Sequence, residues 1–245
     1  MYSWRHTIRD LMSTQHANDA LDSFLELEKR FAHFLSAVTF KAEHLKVHSP
    51  LLAGLLLEAG SLSESVFKSA MDNARYDAQP NIAAIRTKRY STVPPYYNIN
   101  DSREVFRADQ LYHKRVWFLP RSDRSFPWAA WMKAAPTHPK WWRSYNNVKH
   151  GRFDHIADAK LGTVMHALGG AFLALVQTLD YRATLVERGI IRSRNITAAQ
   201  LRAVASNWEV LQTPESVIAR TELFGYKFLS QGSPRQANDV SIFWP

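Results

Sequence analysis

The chain contains no cysteine. That removes disulfides, cysteine–zinc sites and thiol nucleophiles together, and it suits a reducing compartment. Neither a Walker-type phosphate loop nor a G-x-G-x-x-G run occurs, so nucleotide binding through the folds that use them is not expected. His-Glu-x-x-His and Glu-x-x-His are both missing, which argues against zinc-peptidase and ferritin-like di-iron chemistry. Without Gly-x-Ser-x-Gly, a serine hydrolase of that type has no support. His44 and His48 stand four residues apart and can share a metal, but they have no obvious carboxylate companion. No metal and no cofactor are therefore expected. There is also no internal repeat and no low-complexity segment.

What is present is a chain of 245 residues, 46% hydrophobic and 12% aromatic, enough for one large domain or one domain with an appendage. The formal charge of +9 and the pI near 9.8 favour polyanionic partners, nucleic acid first and an acidic protein second. The basic residues are spread along the chain rather than gathered in a tail. Met1–Asp10 carries Arg5, His6, Arg9 and Asp10 around no apolar core, unlike a secretory signal, so a cytoplasmic location is expected. Leu161–Leu179 contains no Asp, Glu, Lys or Arg. Its polar Thr163, His166, Gln177 and Thr178, and its three- to four-residue apolar rhythm, predict a buried central helix rather than a membrane span.

The apolar spacing predicts a mostly α-helical protein. Residues 1–18 read as a loose polar tail. Asn18 or Asp19 can cap a first helix to about residue 47, with a stripe of Phe24, Leu27, Phe31, Phe34, Leu35, Val38 and Leu45. A second helix runs from about Leu51 to Tyr76. It buries Leu52, Leu55, Leu56, Ala59, Leu62, Val66 and Ala70 and turns Glu58, Ser61, Ser65 and Ser69 outward. Across 79–140 the periodicity fails in a loop-rich insertion containing tryptophan and proline, with a short helix over Asp101–His113 and a short strand over Arg115–Leu119. Trp117, Trp128, Trp131, Trp141 and Trp142 either stack nucleic-acid bases or close a cap over the helices. Asp154 can then cap the longest helix, to about Glu187, with Gly189 as its stop. Residues 189–245 form a small mixed extension, helical over Thr197–Gln212 and strand-like over Ser216–Phe228.

The run Trp141–Arg152 departs from generic helix, packing adjacent tryptophans, adjacent asparagines, three cations and a histidine together. At about 100° per residue, the step from Arg143 to His150 falls about 20° short of two turns. Arg143, Asn147 and His150 thus share one face, with Asn146 on its flank. A guanidinium grips a phosphate, amides hold a hydroxyl, and an imidazole titrates near neutrality. The structural alternative is that Asn146, Asn147 and His150 serve as caps and turn residues before Gly151. His166, alone on an apolar helix, reads as a core histidine bonded to a carbonyl.

Two long helices, an irregular middle, an Arg-to-His motif and a further long helix resemble the HEPN (higher eukaryotes and prokaryotes nucleotide-binding) superfamily, over about residues 19–188. Its hallmark is an arginine followed a few positions on by a histidine; here six residues intervene, Arg143-Ser-Tyr-Asn-Asn-Val-Lys-His150. The resemblance implies a HEPN-like bundle and a metal-independent endoribonuclease of toxin or defence type, with an antitoxin or defence-system protein as a further partner. It implies a homodimer whose active site forms where two motifs meet. The contact is expected around 141–152 and the Glu58–Ser69 stripe. Arg143 and His150 would be the catalytic pair, with Asn146 or Asn147 orienting the scissile group. Tyr145, Lys149 and Arg152 would hold substrate, and Glu58 would orient a cation of the motif. The alternatives are a non-catalytic HEPN-like module binding RNA, a nucleotide or a partner protein, and a structural subunit whose tryptophan-rich cap is an interaction surface.

Overall fold

Apolar side chains at helical spacing build the frame. The computed structural model describes residues 3–71, 80–91, 98–107, 111–132 and 137–228. Helix α1 (Ser3–Ala37) buries Ala17, Leu21, Phe24, Leu27 and Phe31. Helix α2 (Pro50–Met71) buries every apolar position expected of it. Pro50 occupies its first turn, where a missing N–H costs nothing, and the Ser49 hydroxyl accepts from Leu52 N at 3.1 Å. The short helices α3 (Pro80–Tyr90) and α4 (Ile99–Arg107) follow in the insertion, then α5 (Lys140–His150) and α6 (Leu161–Gln177). α6 is buried almost throughout and packs against α1, α2 and α5, as a central helix should. α2 is also long and apolar enough to cross a membrane, but its apolar side lies against α1 and α6.

Several boundaries differ from expectation. The polar stretch before residue 18 is not a loose tail, because α1 is helical from Ser3. Gln15 Nε2 donates to Asp19 Oδ1 at 2.7 Å and Asn18 Nδ2 to Thr14 O at 3.0 Å, so Asn18 and Asp19 lie inside the helix rather than cap it. α1 ends at Ala37, and a 3-10 turn over Ala42–Lys46 leads on. α1, not the helix after Gly151, is therefore the longest. That later helix is broken. Asp154 caps nothing, and α6 stops at Gln177 where Thr178 turns extended and its hydroxyl bonds Ala174 O at 2.8 Å. The chain then bends by 79° into a 3-10 turn and α7 (Arg182–Glu187). Gly189, at φ 68°, closes it as expected. The expected end of the second helix, 72–76, lies outside the described residues.

The insertion and the C-terminal extension are not separate additions. Strands β1 (Val116–Phe118), β2 (Asp123–Ser125), β3 (Ile191–Ser193), β4 (Val217–Arg220) and β5 (Phe224–Lys227) form one antiparallel sheet in the order β2-β1-β5-β4-β3. Trp117 pairs with Gly225 and Phe118 with Phe224, joining insertion to extension. Between β3 and β4 lies helix α8 (Ala198–Ala203), fixed by a capping box between Thr197 and Gln200. The inner sheet face, with Phe118 and Phe224, packs on Phe24 and Phe172.

Trp117, Trp128, Trp131, Trp141 and Trp142 are all buried, so none is open to a base. The last four close the insertion onto the helices, whereas Trp117 packs with Leu119 and Ile218 in a separate cluster on the sheet, under Arg115 and Arg124. Trp128 Nε1 donates to Gly170 O at 3.1 Å and Trp141 Nε1 to Pro127 O at 3.0 Å. A Cβ on Gly170 would lie 2.9 Å from the Trp141 ring; only glycine lets that indole seat on α6. His166 is half-buried on α6, and its Nδ1 pairs with the Ser125 hydroxyl at 2.6 Å instead of a carbonyl. Burial pushes its pKa down.

Glu28 of α1, 2% exposed, ties the sheet to the bundle. Its carboxylate accepts from the Thr221 hydroxyl and from Leu223 N in the β4–β5 turn. Burial raises its pKa, against the lowering effect of those bonds. The folded state therefore binds this proton more tightly than the unfolded chain. Its stabilising effect is complete below the ordinary carboxylate range and is lost as pH rises through the folded pKa. Glu28→Gln keeps an acceptor without the charge. It is expected to melt above the parent at neutral pH, with the gap closing as the pH is lowered. Glu28→Ala strands the buried Leu223 N–H, leaves the Thr221 hydroxyl only the longer contact to Phe224 O at 3.4 Å, and should cost about 2 kcal/mol, roughly 4–8 °C in Tm. Melting curves across pH measure both.

Candidate functional site

α5 is set by an apolar stripe at 141, 142, 145 and 148, all buried, with Pro139 before it and Gly151 after it. Gly151 N bonds Asn147 O at 2.9 Å and ends the helix. The stripe turns the remaining side chains outward: Arg143, Asn147, Lys149 and His150 are exposed, and Asn146 is partly so. The helix is uninterrupted from Lys140 to His150, so Arg143 and His150 stand about 10.5 Å apart along its axis. Arginine also leans toward the helix N-terminus, away from His150. Among the described residues, neither side chain makes a hydrogen bond or ion pair.

Lys140, Arg143, Ser144, Asn146, Asn147 and Asp158 line an open depression of about 400 Å³. His150 is not on its rim. Asn147 Nδ2 donates to Asp158 Oδ2 at 2.9 Å, which holds the amide in place and leaves its carbonyl oxygen to accept from a hydroxyl. That bond also shows that Asn147 is no helix cap. His155 Nδ1 stands 3.6 Å from the same carboxylate. Two cations one turn apart, a hydroxyl and two amides can hold a phosphate and a neighbouring sugar hydroxyl.

The other expected residues are placed differently. Tyr145 is 1% exposed, and its ring lies on Gly60 of α2, where a Cβ would come within 2.3 Å. It is a packing residue, closed to substrate. Lys149 Nζ bonds both oxygens of Glu64, at 3.1 and 3.2 Å, and sits 5.1 Å from the Tyr145 ring centre. Burial alone would lower the Lys149 pKa, but hydrogen bonds with Tyr145 and Glu64 outweigh it and the net shift is upward. Burial raises the Tyr145 pKa. Arg152 Nη2 donates to Pro50 O at 3.4 Å. Glu58 does not orient a motif cation: it pairs with Arg30 of α1 at 2.7 Å. Glu64 takes the role expected of Glu58, and choosing between them requires the phase of α2 against α5.

Lys140 stands three residues before Arg143, so helical spacing alone points to it. Asp158 reaches the site through the turn after Gly151, and no sequence period marks it. Among the described residues, no three His, Cys, Asp or Glu gather to hold a metal ion, and His44 Nδ1 lies 2.6 Å from Thr39 O. No protein-family model, curated protein or solved structure matches the chain.

Proposed function

We propose that this protein is a HEPN-like, metal-independent endoribonuclease of toxin or defence type, acting in the cytoplasm as a homodimer. One observation carries the reading: Arg143 and His150 are exposed and unengaged among the described residues, yet two turns apart on one uninterrupted helix. The rise of about 10.5 Å between them sets the pair poorly to meet at one phosphate within a single chain. A second copy, related by a two-fold axis near α5, supplies the missing partner.

In such a site His150 takes the proton of a ribose 2′-hydroxyl and Arg143 neutralises the phosphate that the 2′ oxygen attacks. The new bond is O2′–P and the broken one P–O5′. The proton taken from the 2′-hydroxyl ends on the departing 5′ oxygen. Lys140 and Arg152 hold flanking phosphates and Asn147 the sugar. Lys149, already paired with Glu64, anchors α5 to α2. Cleavage of total RNA should persist in excess EDTA and leave 2′,3′-cyclic phosphate ends. Loss of cleavage in EDTA that magnesium restores would remove the mechanism, since a two-metal nuclease needs clustered carboxylates.

The position of His150 outside the depression favours one rival, a non-catalytic module holding RNA through Lys140, Arg143 and Asn147. That protein would bind RNA with steep salt dependence and cut nothing.

A further inference from the structure

Phe153 is 93% exposed, far beyond any other exposed large apolar side chain among the described residues. A phenyl ring left in water forgoes the burial that draws aromatic side chains inward. The turn that carries it is nevertheless closed by backbone hydrogen bonds. His155 N bonds Gly151 O, and Asp158 N bonds His155 O, each at 2.9 Å. The Asn147–Asp158 bond ties the far end of the turn to α5. Arg152, the residue before Phe153, is moored to Pro50 O. A tethered turn therefore presents the ring to solvent three residues beyond His150. Arg152 and Lys160 flank the turn on the chain, Lys149 being paired with Glu64, and of the nearby carboxylates Asp158 is engaged with Asn147 and His155.

We propose that Phe153 is a stacking platform for an unpaired nucleobase beside the phosphate held by α5, so that the ligand is single-stranded or looped RNA rather than duplex. The proposal rests on the RNA reading above and adds the substrate class. An aromatic face next to cations suits this ligand because every base has a face to stack, while the cations follow the backbone. In a duplex the bases are already stacked on one another and closed to such a ring.

The test uses the full protein and a short 2′-O-methylated single-stranded oligonucleotide carrying one 2-aminopurine, which cannot be cut because its nucleophile is blocked. Phe153→Ala should weaken binding about ten-fold and abolish the fluorescence quenching that the parent produces, while Phe153→Trp keeps both. An abasic ribose-phosphate oligomer should bind parent and Phe153→Ala equally, and a duplex of the same length should bind both weakly. Equal affinity of parent and Phe153→Ala for the base-carrying strand overturns the stacking role alone. A Phe153→Ala protein that loses the abasic oligomer too, or that sediments as a smaller species than the parent, shows the ring to be a protein contact and also overturns it. No binding of any RNA by the parent overturns the RNA reading itself.

Discussion

His150→Ala is expected to lower RNA cleavage by about a hundred- to ten-thousand-fold, the usual effect of removing a general acid–base group, with the melting curve unchanged. The imidazole is exposed and engages no described residue, so the fold has nothing to lose with it. Arg143→Ala should reduce the rate comparably and also weaken binding. Arg143→Lys should recover only part, because a point charge replaces the planar fork that matches two phosphate oxygens. Two other histidines serve as controls. His155→Ala removes only an exposed contact to Asp158 and should leave the rate nearly unchanged. His166→Ala empties a site bonded to Ser125 and should lower stability more than rate per folded molecule. Cleavage assays paired with thermal melts separate these outcomes. If His150→Ala unfolds the protein while activity per folded molecule is retained, the histidine is structural.

Gly60→Ala is expected to be the most damaging single methyl in the bundle. Its Cβ would fall 2.3–2.5 Å from three carbons of the Tyr145 ring, and that ring is boxed in. Trp142 lies 5.3 Å away on one side, and the Lys149–Glu64 pair covers another. Neither helix can yield without separating α5 from α2. Overpacking of this kind costs about 3 kcal/mol, or roughly 6–12 °C in Tm for a chain of this size. Adding Tyr145→Ala should make the double variant more stable than the sum of the single effects requires, since the two residues share one space. Additive losses would mean that Gly60 and Tyr145 do not meet.

The central frame was legible in the sequence because burial follows helical spacing. The stripes of α1 and α2 and the charge-free run of α6 obey it, whereas Trp117 on a strand and Trp131 in a 3-10 turn are buried without any such spacing. Boundaries were less legible. Asn18 and Asp19 resemble caps, but bonds to neighbours one turn away make them interior to α1. Thr178 resembles any helix residue, yet it ends α6. The sheet was hidden because β1 and β5 are about a hundred residues apart, and only three-dimensional packing shows that Trp117 meets Gly225. At the site, the outward face of Arg143, Asn147 and His150 follows from the 3.6-residue period. Tyr145 looked polar enough for substrate, but its azimuth puts it with Trp141, Trp142 and Val148 on the buried stripe. The exchange of Glu64 for Glu58, and the arrival of Asp158, depend on how separate segments dock, which no local pattern encodes.

The claim that two copies share each site is tested most directly by mixing Arg143→Ala with His150→Ala, both inactive alone, and measuring RNA cleavage after the subunits exchange. In a shared site, one of the two sites in each mixed dimer holds an intact arginine from one chain and an intact histidine from the other. Activity should return to roughly a quarter of the parent's under random exchange. A mixture that exchanges subunits and stays inactive would contradict the account.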